Sequence, residues 1–202
     1  SKIFDRQYRE IQTHAKDTLM TKKKLLFPEI KLFSHEPYYD NRGFFYESYN
    51  KEVEDILASD FPQDNHSYSH KNVIRGMHYQ WDMPMGKLVR AVHGEIIDYF
   101  VDIRKGSDTY GKCDFVSLGG ENKASVWIPP GFAHGFEVVT DSAVVLYKCT
   151  ATYNKSGESG INPFDEDISV PWRTNRSLAI LSEKDINSKS FKEYSEDHKF
   201  EF

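Results

Sequence analysis

The chain has 202 residues, of which 39% are hydrophobic and 28% charged, and carries a formal net charge of −5. That is enough chain for one domain with a sizeable core, and it lacks the basic surface that displaces counterions from nucleic-acid phosphates. No apolar run reaches membrane-spanning length, no leader segment is visible, and two widely spaced cysteines, Cys113 and Cys149, are too few for a disulfide scaffold or a structural zinc site. The expectation is a soluble cytoplasmic protein with reduced thiols, binding neither nucleic acid nor membrane.

Residues 1–24 read as a polar N-terminal arm. Ile3, Phe4, Tyr8 and Ile11 recur at helical spacing, and Lys22, Lys23 and Lys24 follow as a basic run. From Leu25 the pattern changes to short β-rich segments. Strands are predicted near 27–33, 43–49, 63–69, 73–79, 87–93, 95–103, 113–118, 124–128, 132–139 and 143–150, with one helix over Glu52–Ala58. Turn signals separate them: Asp40-Asn41-Arg42-Gly43, Lys105-Gly106-Ser107-Asp108, Gly119-Gly120-Glu121-Asn122 and Pro129-Pro130-Gly131. Aromatic residues, 14 Phe and 12 Tyr, suit pleated surfaces and also make stacking platforms for ligand rings. So many short strands predict a sandwich or barrel. From 174 onward the chain is polar and partly helical, with a charged, frayed end. No internal repeat or linker divides the chain.

Several chemistries lack their signatures. No G-x-G-x-x-G opens a helix. Gly86-Lys87 has the look of a P-loop end, but Trp81 stands where the first glycine belongs and Leu88 replaces the Ser or Thr. H-E-x-x-H is missing, as is the His-x-His pair of many metal-binding cupins. His93-Gly94-Glu95 puts two ligand types on one strand face, without a third.

The specific stretches come in order. Arg42-Gly43-Phe44-Phe45-Tyr46-Glu47-Ser48 and Gln63-Asp64-Asn65-His66-Ser67 lead, then Arg75-Gly76-Met77-His78-Tyr79-Gln80 and Gly86-Lys87-Leu88-Val89-Arg90. Val101-Asp102-Ile103-Arg104, Trp127-Ile128-Pro129, Gly131-Phe132-Ala133-His134-Gly135-Phe136 and Leu146-Tyr147-Lys148 follow. In this order and spacing the set resembles the dTDP-4-dehydrorhamnose 3,5-epimerase family over residues 25–187. The resemblance implies an all-β fold, a cupin-type jelly roll of two sheets with short peripheral helices. It also implies a homodimer, a nucleotide-linked 4-keto-6-deoxyhexose as substrate, and no metal or organic cofactor. The domain would span 25–187 and residues 188–202 would form a polar tail.

Epimerisation beside a ketone needs a base on one face of the sugar, an acid on the other, and positive charge where the enolate oxygen develops. By the resemblance, His78 is the base and Asp185 the carboxylate that orients it. Tyr147 is the acid, with Tyr153 as a weaker rival. Lys87 stabilises the oxyanion. Arg75 either helps there or holds phosphate, and His134 is either a polar group of the pocket or a structural donor. Arg42 and Arg75 suit the diphosphate. Phe45, Glu47, Gln63, Asn65 and Glu158 match family positions that line the nucleotide site, some reaching a neighbouring subunit. One stretch departs from the family: Ile161-Asn162-Pro163-Phe164-Asp165 stands where Trp-Asn-Asp is usual. That leaves dTDP, GDP and CDP open as the nucleotide, hexose or heptose as the sugar, and C3, C5 or both as the inverted carbons. A 3,4-ketoisomerase and a non-catalytic sugar-nucleotide binding module are the alternatives. The module would need the aromatic and Arg contacts, but not His78, Tyr147 and Lys87 together.

Overall fold

Side-chain alternation assigns the strand faces. In β12 (Ser142–Cys149), Ala143, Val145 and Cys149 are buried while Ser142, Val144, Leu146 and Lys148 are partly exposed, the period-two pattern of a strand with one face in the core. β4 (Gln63–His70) alternates in the same way. β11 (Phe132–Val138) is buried at every position, and β7 (Glu95–Asp102) at all but its first, so both are covered on two faces. The computed structural model of the chain describes residues 24–120 and 122–202. The amphipathic pattern of Ile3, Phe4, Tyr8 and Ile11 lies outside the described residues.

Two five-stranded antiparallel sheets make the body. The first orders β1 (Lys31–Ser34), β10 (Ala124–Ile128), β6 (Lys87–His93), β12 and β4. The second orders β13 (Glu158–Gly160), β5 (Ile74–Gln80), β11, β7 and β9 (Cys113–Gly119). Val89, Val126 and Val145 of the first sheet meet Phe100, Leu118, Phe132 and Phe136 of the second in the central core. The fold is a cupin-like β jelly roll.

Two smaller cores cover the outer faces. Asn50 caps α1 (Lys51–Leu57) by accepting from the Val53 N–H, and the helix lays Val53 and Leu57 on Leu88 and Trp127 of the first sheet. On the second sheet, Met77, Tyr79, Ile97 and Tyr99 lie under Ile161, Ile168, Phe191 and Tyr194 from the last part of the chain. That part carries α2 (Glu183–Ile186), α3 (Phe191–Glu196) and β14 (Phe200–Glu201), which pairs in parallel with β8 (Arg104–Lys105). Residues 188–202 are therefore packed against the body: Phe191 and Tyr194 are buried, each such ring contributing roughly 2–3 kcal/mol by its burial. Buried Glu137 ties down the chain ahead of this segment, at Arg173 and Thr174. It accepts from Tyr99 Oη at 2.6 Å and from the backbone N–H groups of Arg173 and Thr174 at 2.8 and 2.7 Å.

The strand expected over 27–33 begins only at Lys31, because Phe27 and Ile30 are buried in a turn before it. The one expected over 43–49 is the second half of a hairpin, β2 (Tyr38–Asp40) with β3 (Gly43–Phe45).

Candidate active site

β5 and β11 approach closely enough to set two histidines side by side. A Cβ at Gly76 (φ +143) would come within 2.5 Å of the Gly135 Cα, so glycine permits the contact. The register places His78 opposite His134. His78 Nε2 lies 2.5 Å from Asp185 Oδ1. Ser182 accepts from the Asp185 N–H and starts α2, the short helix that presents this carboxylate to β5. Burial works to raise the Asp185 carboxyl, but the hydrogen bond and charge of His78 outweigh it and hold the group below the usual carboxylate range.

His134 is buried, with Nε2 at 2.9 Å from Asp98 Oδ2 and 2.8 Å from Oδ1. Here burial dominates: it pushes the imidazole down and the Asp98 carboxyl up. Asp98 was not foreseen as a site residue. The signal for it was an acid inside the apolar run Ile96-Ile97-Asp98-Tyr99-Phe100, where an unpartnered charge is costly.

The first sheet answers with Lys87 and Tyr147. Lys87 opens β6 and pairs in register with Cys149, which in turn faces Gln63; Tyr147 pairs with Asn65 and Val89. Lys87 is half-buried, and loss of water around the ammonium lowers its pKa, against the pull of Cys149, Asp98 and Glu158. Burial pushes the Tyr147 phenol up, and Cys149 adds to this; Arg75 and a hydrogen bond with Asn65 act the other way without reversing it. Arg75 is thus a cation whose pull on this phenol is outweighed by burial.

The predicted binding residues divide into two groups. Gln63 and Asn65 are half-buried on β4, joined by a 3.1 Å hydrogen bond, with Asn65 also donating to Cys149 Sγ at 3.4 Å. Arg75 donates to Ser69 Oγ at 2.9 Å and to the Tyr68 carbonyl at 3.3 Å. Glu158 is ion-paired with Lys184, the neighbour of Asp185, and bonded to Tyr153. Burial works to raise Glu158, yet the bonds from Lys184 and Tyr153 leave it lowered. Tyr153 is exposed at the rim, its N–H donated to Gln63 Oε1 at 2.8 Å. Arg42, Phe45 and Glu47 stand apart. Arg42 pairs with Asp40 in the β2–β3 turn, Glu47 accepts from Asn50 at 2.8 Å, and Phe45 is 67% exposed. Among the described residues, no hydrogen bond or ion pair joins these three to the His78 cluster.

Contrary to the expectation of one shared strand face, His93 ends β6 and Glu95 begins β7. Gly94 (φ +67) turns the chain between β6 and β7; a Cβ there would sit 2.0 Å from the Ser142 carbonyl oxygen. His93 faces Ser142 at 3.5 Å while Glu95 accepts from Ser117 at 2.6 Å. Among the described residues, no group of three His, Cys, Asp or Glu is placed to hold a metal ion. The divergent stretch at Ile161 runs onto the outer face of the second sheet. Ile161 exchanges backbone hydrogen bonds with Met77, and Trp172 Nε1 donates to the Pro163 carbonyl at 2.7 Å.

A histidine paired with a carboxylate on the second sheet, together with a half-buried lysine and a phenol on the first, suits an enzyme that takes a proton from carbon and returns one to it. Comparison with known proteins narrows that class. The family model described as dTDP-4-dehydrorhamnose 3,5-epimerase matches residues 24–193. The dTDP-4-dehydrorhamnose 3,5-epimerase of Shigella flexneri is 46% identical over 172 residues, 83% of this chain and 94% of that protein. The crystal structure of dTDP-6-deoxy-D-glucose-3,5-epimerase from Legionella pneumophila, in complex with dTDP-4-keto-L-rhamnose, superposes with a TM-score of 0.84 at 40% identity, covering 89% of this chain and 96% of that one. A 4-keto-6-deoxy sugar epimerase from the novobiocin gene cluster of Streptomyces spheroides gives 0.83 at 26% identity, over 91% and 94%. The chain belongs to the dTDP-4-dehydrorhamnose 3,5-epimerase family, and is an isomerase of nucleotide-linked sugars. No helix among the described residues is long and apolar enough to cross a membrane.

Proposed function

We propose that this chain inverts C3 and C5 of dTDP-4-keto-6-deoxyglucose, giving dTDP-4-keto-L-rhamnose. The observation that carries the reading is the His78–Asp185 pair on the second sheet, supported by Lys87 and Tyr147 on neighbouring strands of the first. With the Nε2 proton donated to Asp185, His78 Nδ1 holds the lone pair that accepts the sugar's carbon-bound proton. The C–H electron pair becomes the C=C of an enolate, and the ketone oxygen takes the charge beside the Lys87 ammonium. Tyr147 Oη then delivers a proton to the opposite face of the carbon. His78 and Tyr147 regain their starting forms by exchange with water, and the cycle repeats at the other carbon. Acid–base groups of the chain are sufficient for this, so a chelator is expected to leave the rate unchanged.

The exposed hairpin supports a homodimer. Tyr38, Phe44 and Phe45 are 73%, 55% and 67% exposed, more aromatic surface than a hairpin tip ordinarily leaves in water. Arg42, Phe45 and Glu47 then serve the nucleotide end of the site in a second copy. Light scattering is expected to give a dimer mass, and Phe45→Ala to weaken it.

The test of the reaction is incubation in D2O with dTDP-4-keto-6-deoxyglucose, and with GDP- and CDP-linked 4-keto sugars, following the C3 and C5 protons by NMR. Deuterium at both carbons, absent in His78→Asn, is the expected result. Deuterium at one carbon makes the chain a single-centre epimerase, and none with any substrate removes the reading.

A further inference from the structure

Gln80 ends β5 two positions beyond His78, on the same face of the strand. It is 4% exposed, and its carboxamide is bonded at both ends. Nε2 donates to the Met83 carbonyl at 2.8 Å and to the Thr152 carbonyl at 3.1 Å, while Oε1 accepts from the Asn154 N–H at 2.9 Å. Both of its donors are therefore spent inside the chain.

Two of those partners bracket Tyr153, and a second glutamine holds the residue between them. Gln63 Oε1 accepts from the Tyr153 N–H at 2.8 Å, and Gln63 Nε2 donates to Asn65 at 3.1 Å. The backbone at 152–154 is thus fixed at three successive positions by two side chains, one from each sheet. The Tyr153 ring is 55% exposed all the same. A ring left in water on so firmly held a backbone is preorganised for a ligand and adds nothing to the core. Glu158 lies opposite Gln80 on β13. Gln63, Asn65 and Glu158 are the residues read as lining the nucleotide end, and the segment is tied to that group by Gln63 and Gln80.

We propose that Gln80 is a positioning residue for the nucleotide end of the site, setting the backbone at 152–154 so that Tyr153 is in place before the substrate arrives. This rests on the reading of Gln63 and Asn65 as substrate-binding residues. Gln80 acts through Tyr153 and not on the substrate. It removes the cost of ordering the segment on binding, an effect that falls on KM and spares kcat.

The test measures kcat and KM for C3 and C5 exchange with dTDP-4-keto-6-deoxyglucose in the full chain, in Gln80→Met, in Tyr153→Ala and in the two combined. Gln80→Met is expected to raise KM about tenfold with kcat within about threefold, and the double variant to exceed the worse single one by no more than about threefold. A Gln80→Met chain that melts lower with KM unmoved overturns the proposal, because a merely structural strut acts on stability alone. So does a double variant whose effect is the product of the two singles, since Gln80 then does not act through Tyr153. Tyr153→Ala removes an exposed ring and tests the contact by itself; an unmoved KM overturns the proposal. Asn65→Ala separates the two readings. If it leaves KM unmoved, the reading of β4 as the nucleotide end has failed; if it raises KM while Gln80→Met does not, only the Gln80 proposal has failed. Amide hydrogen exchange of the unaltered chain needs no Gln80 variant to fold. The Asn154 N–H is expected to exchange at least about a hundredfold more slowly than that of Lys155, which has no hydrogen-bond partner among the described residues. Equal rates overturn the proposal.

Discussion

His78 with Asp185 and His134 with Asp98 are pairs of the same two residue types, held at 2.5 and 2.9 Å on neighbouring strands. Their surroundings make them different instruments. The His78 side chain is 26% exposed and that of His134 10%, while Asp98 is wholly enclosed. In the outer pair the bond to His78 outweighs burial and keeps Asp185 ionised; in the inner pair burial outweighs the bond and keeps His134 neutral. A group that must gain and lose a proton in every cycle needs a route to water. The outer pair has one, and the inner pair is suited to a fixed charge state.

The largest test of that contrast is His78→Asn, expected to slow deuterium exchange at C3 about a thousandfold, against roughly tenfold to a hundredfold for His134→Asn. Equal losses would erase the distinction. Asp185→Asn should lower kcat about a hundredfold or more with little change in KM, since it removes the group that steadies the imidazolium. It should also change acid stability. The folded carboxyl lies below its ordinary value of 3.8, so its contribution is complete above that value and is lost as pH falls through the lower folded one. Melting temperature below about pH 4 should therefore fall more steeply for wild type than for Asp185→Asn. Tyr147→Phe sharpens the picture from the other sheet. Net inversion should drop about a hundredfold while His78 still swaps protons on its own side, so deuterium enters with retained configuration. Loss of exchange together with inversion would assign Tyr147 a different part. The smallest effect belongs to Lys184→Met. Its ion pair with Glu158 is half in water, so stability should change by less than about 1 kcal/mol, read by thermal melting.

Much of this architecture was legible in the sequence. The strands from β4 to β7 and from β9 to β12 fall within about two residues of the predicted bounds, because period-two alternation and buried apolar runs mark them directly. The pieces that escaped were β2, β8, β13 and β14, each two or three residues long, too short for any period to show. The pairing of His78 with Asp185 was legible because a motif surrounds the histidine. Asp98 escaped because its partner, His134, lies on another strand. Arg42, Phe45 and Glu47 match a family pattern, but a single chain leaves their side chains facing water, so their part depends on what a second copy brings.

The bond between His78 and Asp185 spans 107 positions of chain, and α2 reaches β5 only as part of the closing segment. During synthesis the last strand of the two sheets, β13, is made before the carboxylate. A chain made only as far as Gly160 therefore holds every strand of the two five-stranded sheets yet lacks Asp185. The pairing of His78 with a carboxylate therefore waits on the docking of α2, after both sheets have been made.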